Sequence, residues 1–268
     1  MPPATAPIVV TVHDLAFLRD PSQFTRRGVS FFRRAIDLAR RDASIIVCPS
    51  QATIDECIDN GFDPKKIRLV PWGVDPKEVA SSAIMAMRSR LGITGRFVLW
   101  AGTIEPRKNL PVLLSAFEGI EDRDVTLVLA GPEGWNEQID DQLGRLGSRV
   151  VRVGFVEPET LSELQAAAEL FIFPSRQEGF GLPVLEAMAQ GTAVITSSGT
   201  STEEVVGDCG VLVDPTDVDA LRAAIDRLLA DDAERDRLGR AGLNRATSLF
   251  TWEKTAKALH SAYEEAMV

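Results

Sequence analysis

Phe97-Val98-Leu99-Trp100-Ala101-Gly102-Thr103-Ile104-Glu105-Pro106-Arg107-Lys108-Asn109-Leu110-Pro111 decides how the rest of this 268-residue chain is read. Residues 97–101 form an apolar run too short for a helix and bounded by glycine, the pattern of a strand buried on both faces. A polar loop follows. Asn109 before Leu110-Pro111 then reads as an N-cap with proline in the first helical turn. The same alternation continues in both directions. Strand-like runs lie at Ile8–Val12, Ser44–Cys48, Ile67–Val70, Val125–Ala130, Val150–Val153, Leu170–Phe173, Ala193–Thr196 and Val211–Val213. Helical patterns lie between most of them, among them Pro111–Glu118, Glu159–Ala168 and Asp217–Ala230, and Gly191 reads as a left-handed helix stop. Strands alternating with helices imply crossover connections and a parallel sheet covered on both faces, so the class is α/β.

Pro71-Trp72-Gly73-Val74-Asp75-Pro76 reads as a boundary, because two prolines and a glycine follow one strand and precede a fresh helix. Residues 1–75 offer three strands, too few for an independent doubly wound sheet, whereas 76–250 offer about six. Residues 251–268 read as an amphipathic helix capped by Thr251, with Trp252, Ala256, Leu259 and Tyr263 at helical spacing and expected to pack back toward the N-terminal part. Charge divides at the same place: 10 Lys+Arg against 9 Asp+Glu in residues 1–75, and 19 against 30 in the remainder. The net charge of −10 argues against a general nucleic-acid binder. Three cysteines without a CxxC pair and only two histidines argue against a zinc site or a disulfide framework. No segment approaches the roughly 20 apolar residues of a membrane span, and Met1–Pro7 lacks the features of a secretory signal, so a cytoplasmic location is expected.

In open parallel sheets, ligands bind beyond the carboxyl ends of the strands. Behind 97–101, Arg107 and Lys108 precede a helix N-terminus, whose free N–H groups and positive dipole end suit a diphosphate. A solvated loop with two cations is the plainer reading of that pair alone. Behind 170–173 comes Pro174-Ser175-Arg176-Gln177-Glu178-Gly179-Phe180-Gly181-Leu182-Pro183-Val184-Leu185-Glu186. Gly179 and Gly181 remove side chains where a ligand can approach the backbone. Glu178 lies in the loop and Glu186 about one turn inside the helix, so two carboxylates can accept from two groups of hydroxyls on one extended ligand.

The pattern Glu178-x7-Glu186, with Gly179-Phe180-Gly181-Leu182-Pro183 inside it, resembles the signature of the retaining, GT-B-fold glycosyltransferases of family 4 (glycosyl transferases group 1). The resemblance extends to Gly102–Asn109, to Gly131-Pro132 and to Glu204-Val205-Val206-Gly207-Asp208. Upstream it extends to Val12-His13-Asp14-Leu15, Pro49-Ser50-Gln51-Ala52-Thr53 and Val70–Asp75. It implies a complete C-terminal Rossmann-like domain, 76–250, that binds a nucleotide sugar, joined to a partial N-terminal, acceptor-side Rossmann-like domain, 1–75. By the same resemblance Arg107 and Lys108 hold the donor diphosphate, with Gly179, Phe180, Gly181 and Leu182 lining the donor site. Glu178 then faces the donor sugar, Glu186 the nucleotide ribose, and His13 crosses the cleft toward the reacting sugar.

The branch looks most like bacterial mannosyltransferases of polysaccharide assembly. That implies GDP-mannose as donor, with UDP-glucose or UDP-N-acetylglucosamine as alternatives, and a glycan or lipid-linked acceptor. No metal is implied. Thr103 stands where many relatives carry arginine, and Arg107 is taken to supply that cation. Nothing corresponds to the family's first strand and glycine-rich loop, which implies a fragment or a second polypeptide that completes the domain. A donor-binding module without turnover is the alternative from another class. An epimerase or phosphorylase of the same fold is disfavoured by the intact Glu178/Glu186 motif.

Arg26-Arg27, Arg33-Arg34 and Arg40-Arg41 recur every seven residues, with Val29, Phe32, Ile36 and Ala39 on another face. A solvated, ion-paired face is the simpler reading, and a peripheral contact with anionic lipid is the sharper one.

Overall fold

The alternating pattern folds into two separate parallel sheets. The computed structural model describes residues 6–135 and 138–267, so most of the stretch read as lacking a secretory signal lies outside the described residues. The first unit holds β1 (Val9–Thr11), α1 (Ala16–Arg19), α2 (Arg26–Asp42), β2 (Ile45–Cys48), α3 (Gln51–Asp59) and β3 (Ile67–Leu69), in the sheet order β1-β2-β3. Val9, Val10 and Thr11 pair with Ile45, Ile46 and Val47, and β1 has no neighbour on its other edge among the described residues.

The second unit begins with α4 (Ser81–Leu91), β4 (Phe97–Ala101), α5 (Leu110–Glu118), β5 (Thr126–Ala130), α6 (Asp140–Leu146) and β6 (Val150–Gly154). It continues with α7 (Pro158–Ala167), β7 (Leu170–Phe173), α8 (Leu182–Ala189), β8 (Val194–Ser197), α9 (Ser201–Val206), β9 (Val211–Val213), α10 (Val218–Ala230) and α11 (Asp232–Leu249). The strand order is β6-β5-β4-β7-β8-β9, a doubly wound sheet whose order reverses between β4 and β7. Every residue of β4, β7 and β8 is buried, while β6 and β9 at the edges are partly open, which explains why the central strands read as unbroken apolar runs. Trp100, Phe97, Phe117, Phe171 and Phe173 anchor the core.

The C-terminal helix, α12 (Trp252–Ala266), is capped by the Thr251 side chain, which accepts from Lys254 N–H. Its buried face is one step away from the expected one: Thr255 and Ala262 are buried, whereas Trp252 and Tyr263 are half exposed. Ala262 packs with Ile45, Val47 and Val70 of the first sheet, and a small residue lets the helix approach the strands closely. The Thr255 hydroxyl donates to Pro71 O at 2.7 Å and Val74 N–H to Phe250 O at 2.9 Å, so the connection between the units is tied to the start of α12.

Candidate functional site

The reversal of strand order puts the loops behind β4 and β7 side by side. Arg176 N–H donates to Arg107 O at 2.8 Å, joining them through the backbone. Asn109 occupies the residue before α5, as expected, yet it does not cap it through its side chain. Its backbone is left-handed, and its amide donates instead to Pro174 O at 2.9 Å and Pro215 O at 2.6 Å, while Arg176 Nε donates to its Oδ1 at 3.0 Å. Buried carbonyls of two neighbouring loops need a donor more than the first turn of α5 needs an acceptor. Pro111, moreover, has no N–H to cap.

Glu178 sits at the centre of this arrangement. It accepts from Arg107 Nη1 at 2.8 Å and from Lys108 Nζ at 2.7 Å, and Glu105 takes Arg107 Nε at 2.6 Å. Lys108 is only 6 % exposed and lies 4.8 Å from the centre of the Phe173 ring. Burial would push the Glu178 carboxyl up, but Lys108 and Arg107 beside it outweigh that and hold it below the usual glutamate range. Burial also lowers the Lys108 ammonium, against the pull of Glu178. For Arg107 the neighbouring carboxylates, Glu178 first, then Glu105 and Asp14, overcome burial and raise it. Each cation of the cluster thus already holds a carboxylate.

The loop behind β7 is shaped by two glycines. A Cβ on Gly179 would collide with the carbonyl oxygen of His13, so this loop and the segment behind β1 lie backbone against backbone. Gly181 has φ of 103° at the start of α8, a conformation L side chains rarely adopt. Phe180 is buried against Phe250, and Leu182 is partly exposed at the first turn of α8. The His13 ring stacks on Trp72 with centroids 5.5 Å apart.

Glu186 lies elsewhere. It lines a cavity of about 250 Å³ with Asp75, Lys77, Gln165, Leu182 and Trp252. Burial raises its carboxyl above the ordinary value, partly offset by Gln165 and Lys77. No hydrogen bond or ion pair among the described residues connects it to the Arg107–Lys108–Glu178 cluster.

Several contacts of the site escaped the sequence reading. Glu105 lies in the Gly102–Asn109 stretch that carries the family resemblance, but nothing there marks it as a partner of Arg107. Gln177 donates to Glu56 at 2.8 Å across the two units, and the hydroxyls of Ser50 and Thr53 reach Gly179 O at 2.7 and 3.0 Å. Such contacts join residues more than 120 positions apart, and no local pattern announces them. A further crevice of about 500 Å³ opens beyond β5 and β6 between Pro132, Glu133, Arg152 and Phe155.

Glycosyl transferases group 1 matches residues 86–245, and Glycosyltransferase Family 4 matches residues 3–78. The O-antigen chain mannosyltransferase B of Escherichia coli is 34 % identical, over 96 % of this chain and 70 % of its own length. This chain belongs to the glycosyl transferases group 1 family. Another relative, the MMP alpha-(1->4)-mannosyltransferase of Mycolicibacterium hassiacum, is 34 % identical over 90 % of this chain but only 59 % of its own length. Among solved structures, Anabaena Alr3699/HepE in complex with UDP and glucose superposes with a TM-score of 0.85 at 25 % identity, covering 96 % of this chain and 71 % of that one. Sucrose-phosphate synthase from Thermosynechococcus elongatus gives 0.79 at 28 % identity, covering 96 % and 67 %. The fold of this glycosyltransferase is the α/β GT-B type. None of its described helices is long and apolar enough to cross a membrane.

Proposed function

We propose that this glycosyltransferase moves a hexose, with mannose the first choice, from a nucleotide sugar to a glycan or lipid-linked acceptor, retaining the anomeric configuration. The observation that carries the donor site is the hydrogen-bonded Arg107–Lys108–Glu178 cluster at the strand-order reversal. A donor diphosphate takes over Arg107 and Lys108 and releases Glu178 toward the sugar hydroxyls, so one exchange binds the donor and frees an acceptor for its hydrogen bonds. The same two cations then stabilise the charge that develops on the departing diphosphate. Ribose hydroxyls meet Glu186, and His13 faces the reacting sugar from the first unit. A displacement on the same face of the sugar as the departing group fits this set, which relies on no metal and no other cofactor.

The mannosyltransferases among the relatives favour mannose as the sugar, for which GDP-mannose is the donor of first choice, while the neighbour solved with UDP and glucose keeps UDP-sugars as the alternative. Titration of the chain with GDP, UDP and their sugars by calorimetry decides the base. Selective binding that is lost in Glu186→Ala supports the reading, and no binding to any of them overturns it.

Donor binding without turnover is a second reading. It is favoured by β1, which has no neighbour on its outer edge among the described residues, and by an apolar groove lined by Val10, Val12, Phe17, Phe24, Phe32 and Ile36, where a further polypeptide can extend the sheet. Restoration of transfer by an added N-terminal polypeptide would distinguish the two.

We also propose a peripheral contact between α2 and anionic lipid. Arg26, Arg27, Arg33 and Arg34 are exposed and have no acidic partner within 4.0 Å among the described residues, whereas Arg40 and Arg41 pair with Asp37 and Asp42. Phe31, 68 % exposed, stands on the same helix.

A further inference from the structure

The first four N–H groups of a helix have no partner inside it. In α3 those of Gln51, Ala52 and Thr53 are satisfied, two of them from outside the segment. Ser50, the N-cap, takes Thr53 N–H through its side chain, while its carbonyl accepts the first bond inside the helix from Ile54 N–H. The remaining two, Gln51 N–H and Ala52 N–H, both go to the carboxylate of Glu204, at 2.7 Å each, one to each oxygen. Glu204 belongs to α9 in the other unit. Its own backbone is held in turn, since Arg245 Nη2 donates to Glu204 O and Arg245 Nε to Val205 O.

The same helix start holds a second point of the larger unit, because the Ser50 and Thr53 hydroxyls both donate to Gly179 O. Gly179 follows Glu178 and is pressed against the backbone of His13. Ser201, in the first turn of α9, closes the loop by donating to Glu178 O at 2.7 Å. Three segments therefore meet at one helix terminus: the strand end bearing His13, the loop bearing Glu178, and α9 bearing Glu204.

We propose that Glu204 is a positioning residue, the clasp that sets the His13 unit over the Glu178 loop. A carboxylate suits the task because it can accept two backbone donors at once and because its charge complements the positive end of α3. It acts on the reaction only through α3 and Gly179, and it touches none of Arg107, Lys108 and Glu178. The catalytic meaning of the clasp rests on the donor reading above. The clasp itself does not.

Glu204→Gln is the test, because the amide keeps the shape but replaces one acceptor oxygen with a donor that faces a backbone N–H. Spin labels at Asp59→Cys in α3 and Arg240→Cys in α11, in a Cys209→Ser background, report the distance between the units by pulsed electron resonance. A narrow distribution in the parent that broadens or lengthens in the variant is expected. In parallel, GDP and UDP affinity measured by calorimetry stays within about twofold, while the transfer rate at saturating donor falls about tenfold, the scale of hydrogen bonds to a charged group. Ser50→Ala with Thr53→Ala, which removes the second hook and leaves Glu204 in place, is expected to move the distance in the same direction. It stands in should the first variant fail to fold. An unchanged distance distribution overturns the clasp, as does a nucleotide affinity that drops in step with the rate. If the parent chain binds neither GDP nor UDP, the donor reading falls, and the distance measurement still decides the clasp.

Discussion

Glu178→Gln probes the centre of the site and has two consequences of opposite sign. Lys108 is 6 % exposed and shares the Glu178 carboxylate with Arg107, at 2.7 and 2.8 Å. Neutralising that carboxylate leaves two largely buried cations with Glu105 alone. Removing one partner of a buried ion pair costs about 3–5 kcal/mol, and the acceptor oxygen kept by glutamine places this case at the lower end, about 3 kcal/mol. In a domain of this size each kcal/mol moves the midpoint about 2–4 °C, so the ligand-free chain should melt about 6–12 °C lower. A nucleoside diphosphate brings back the missing negative charge and no longer competes with Glu178 for it. Its affinity should therefore rise in the variant, and the gap in melting temperature should narrow under saturating GDP or UDP. Turnover should fall, because the released carboxylate is gone. Thermal unfolding with and without nucleotide, together with calorimetry, reads both effects. An unchanged melting temperature, or weaker nucleotide binding in the variant, would refute the exchange of Glu178 for diphosphate.

Arg107→Ala and Lys108→Ala should each weaken nucleoside-diphosphate binding about ten- to a hundredfold, the worth of one or two charge-assisted contacts, and unchanged calorimetric affinity would remove them from the diphosphate site. Burial raises the Glu186 carboxyl, and only its ionised form offers ribose two acceptor oxygens. Nucleotide affinity should thus begin to fall, as pH drops, at values above the ordinary glutamate range of about 4.3, and Glu186→Gln should flatten that profile. Glu178 works in the other direction: its carboxyl is held low in the folded chain, so its stabilisation is complete above about 4.3 and is lost only as pH falls through the lower folded value. Acid unfolding curves of the parent and Glu178→Gln should therefore converge toward low pH. Gly179→Ala drives a methyl group into the His13 carbonyl and should cost about 1–3 kcal/mol in thermal unfolding. Reversing Arg26, Arg27, Arg33 and Arg34 to glutamate should abolish co-sedimentation with anionic vesicles, each arginine contributing about 1 kcal/mol, and undiminished co-sedimentation would dispose of the lipid contact.

Much of this molecule was legible along the chain because its information there is local. Runs such as 97–101 and 170–173 announce central parallel strands, since burial on both faces demands apolar residues without interruption. The glycines at 179 and 181 mark a loop that a backbone or a ligand must approach closely, and Leu182-Pro183 marks the helix behind it. The tertiary structure alone decided the strand order, and with it the meeting of the Arg107–Lys108 and Glu178 loops, because pairing between distant strands depends on packing that no window of residues contains. It also redirected Asn109 from a cap to a tie between loops, turned the buried face of α12 onto Thr255 and Ala262, and supplied Glu105 as a second carboxylate. Glu204 shows the division most plainly. In sequence it opens one of the stretches that carry the family resemblance and shows no role of its own, but in space it completes the terminus of another helix some 150 positions earlier. A backbone N–H that finds no partner in its own segment must find one elsewhere or remain in water, and which of these happens is set when the two units meet.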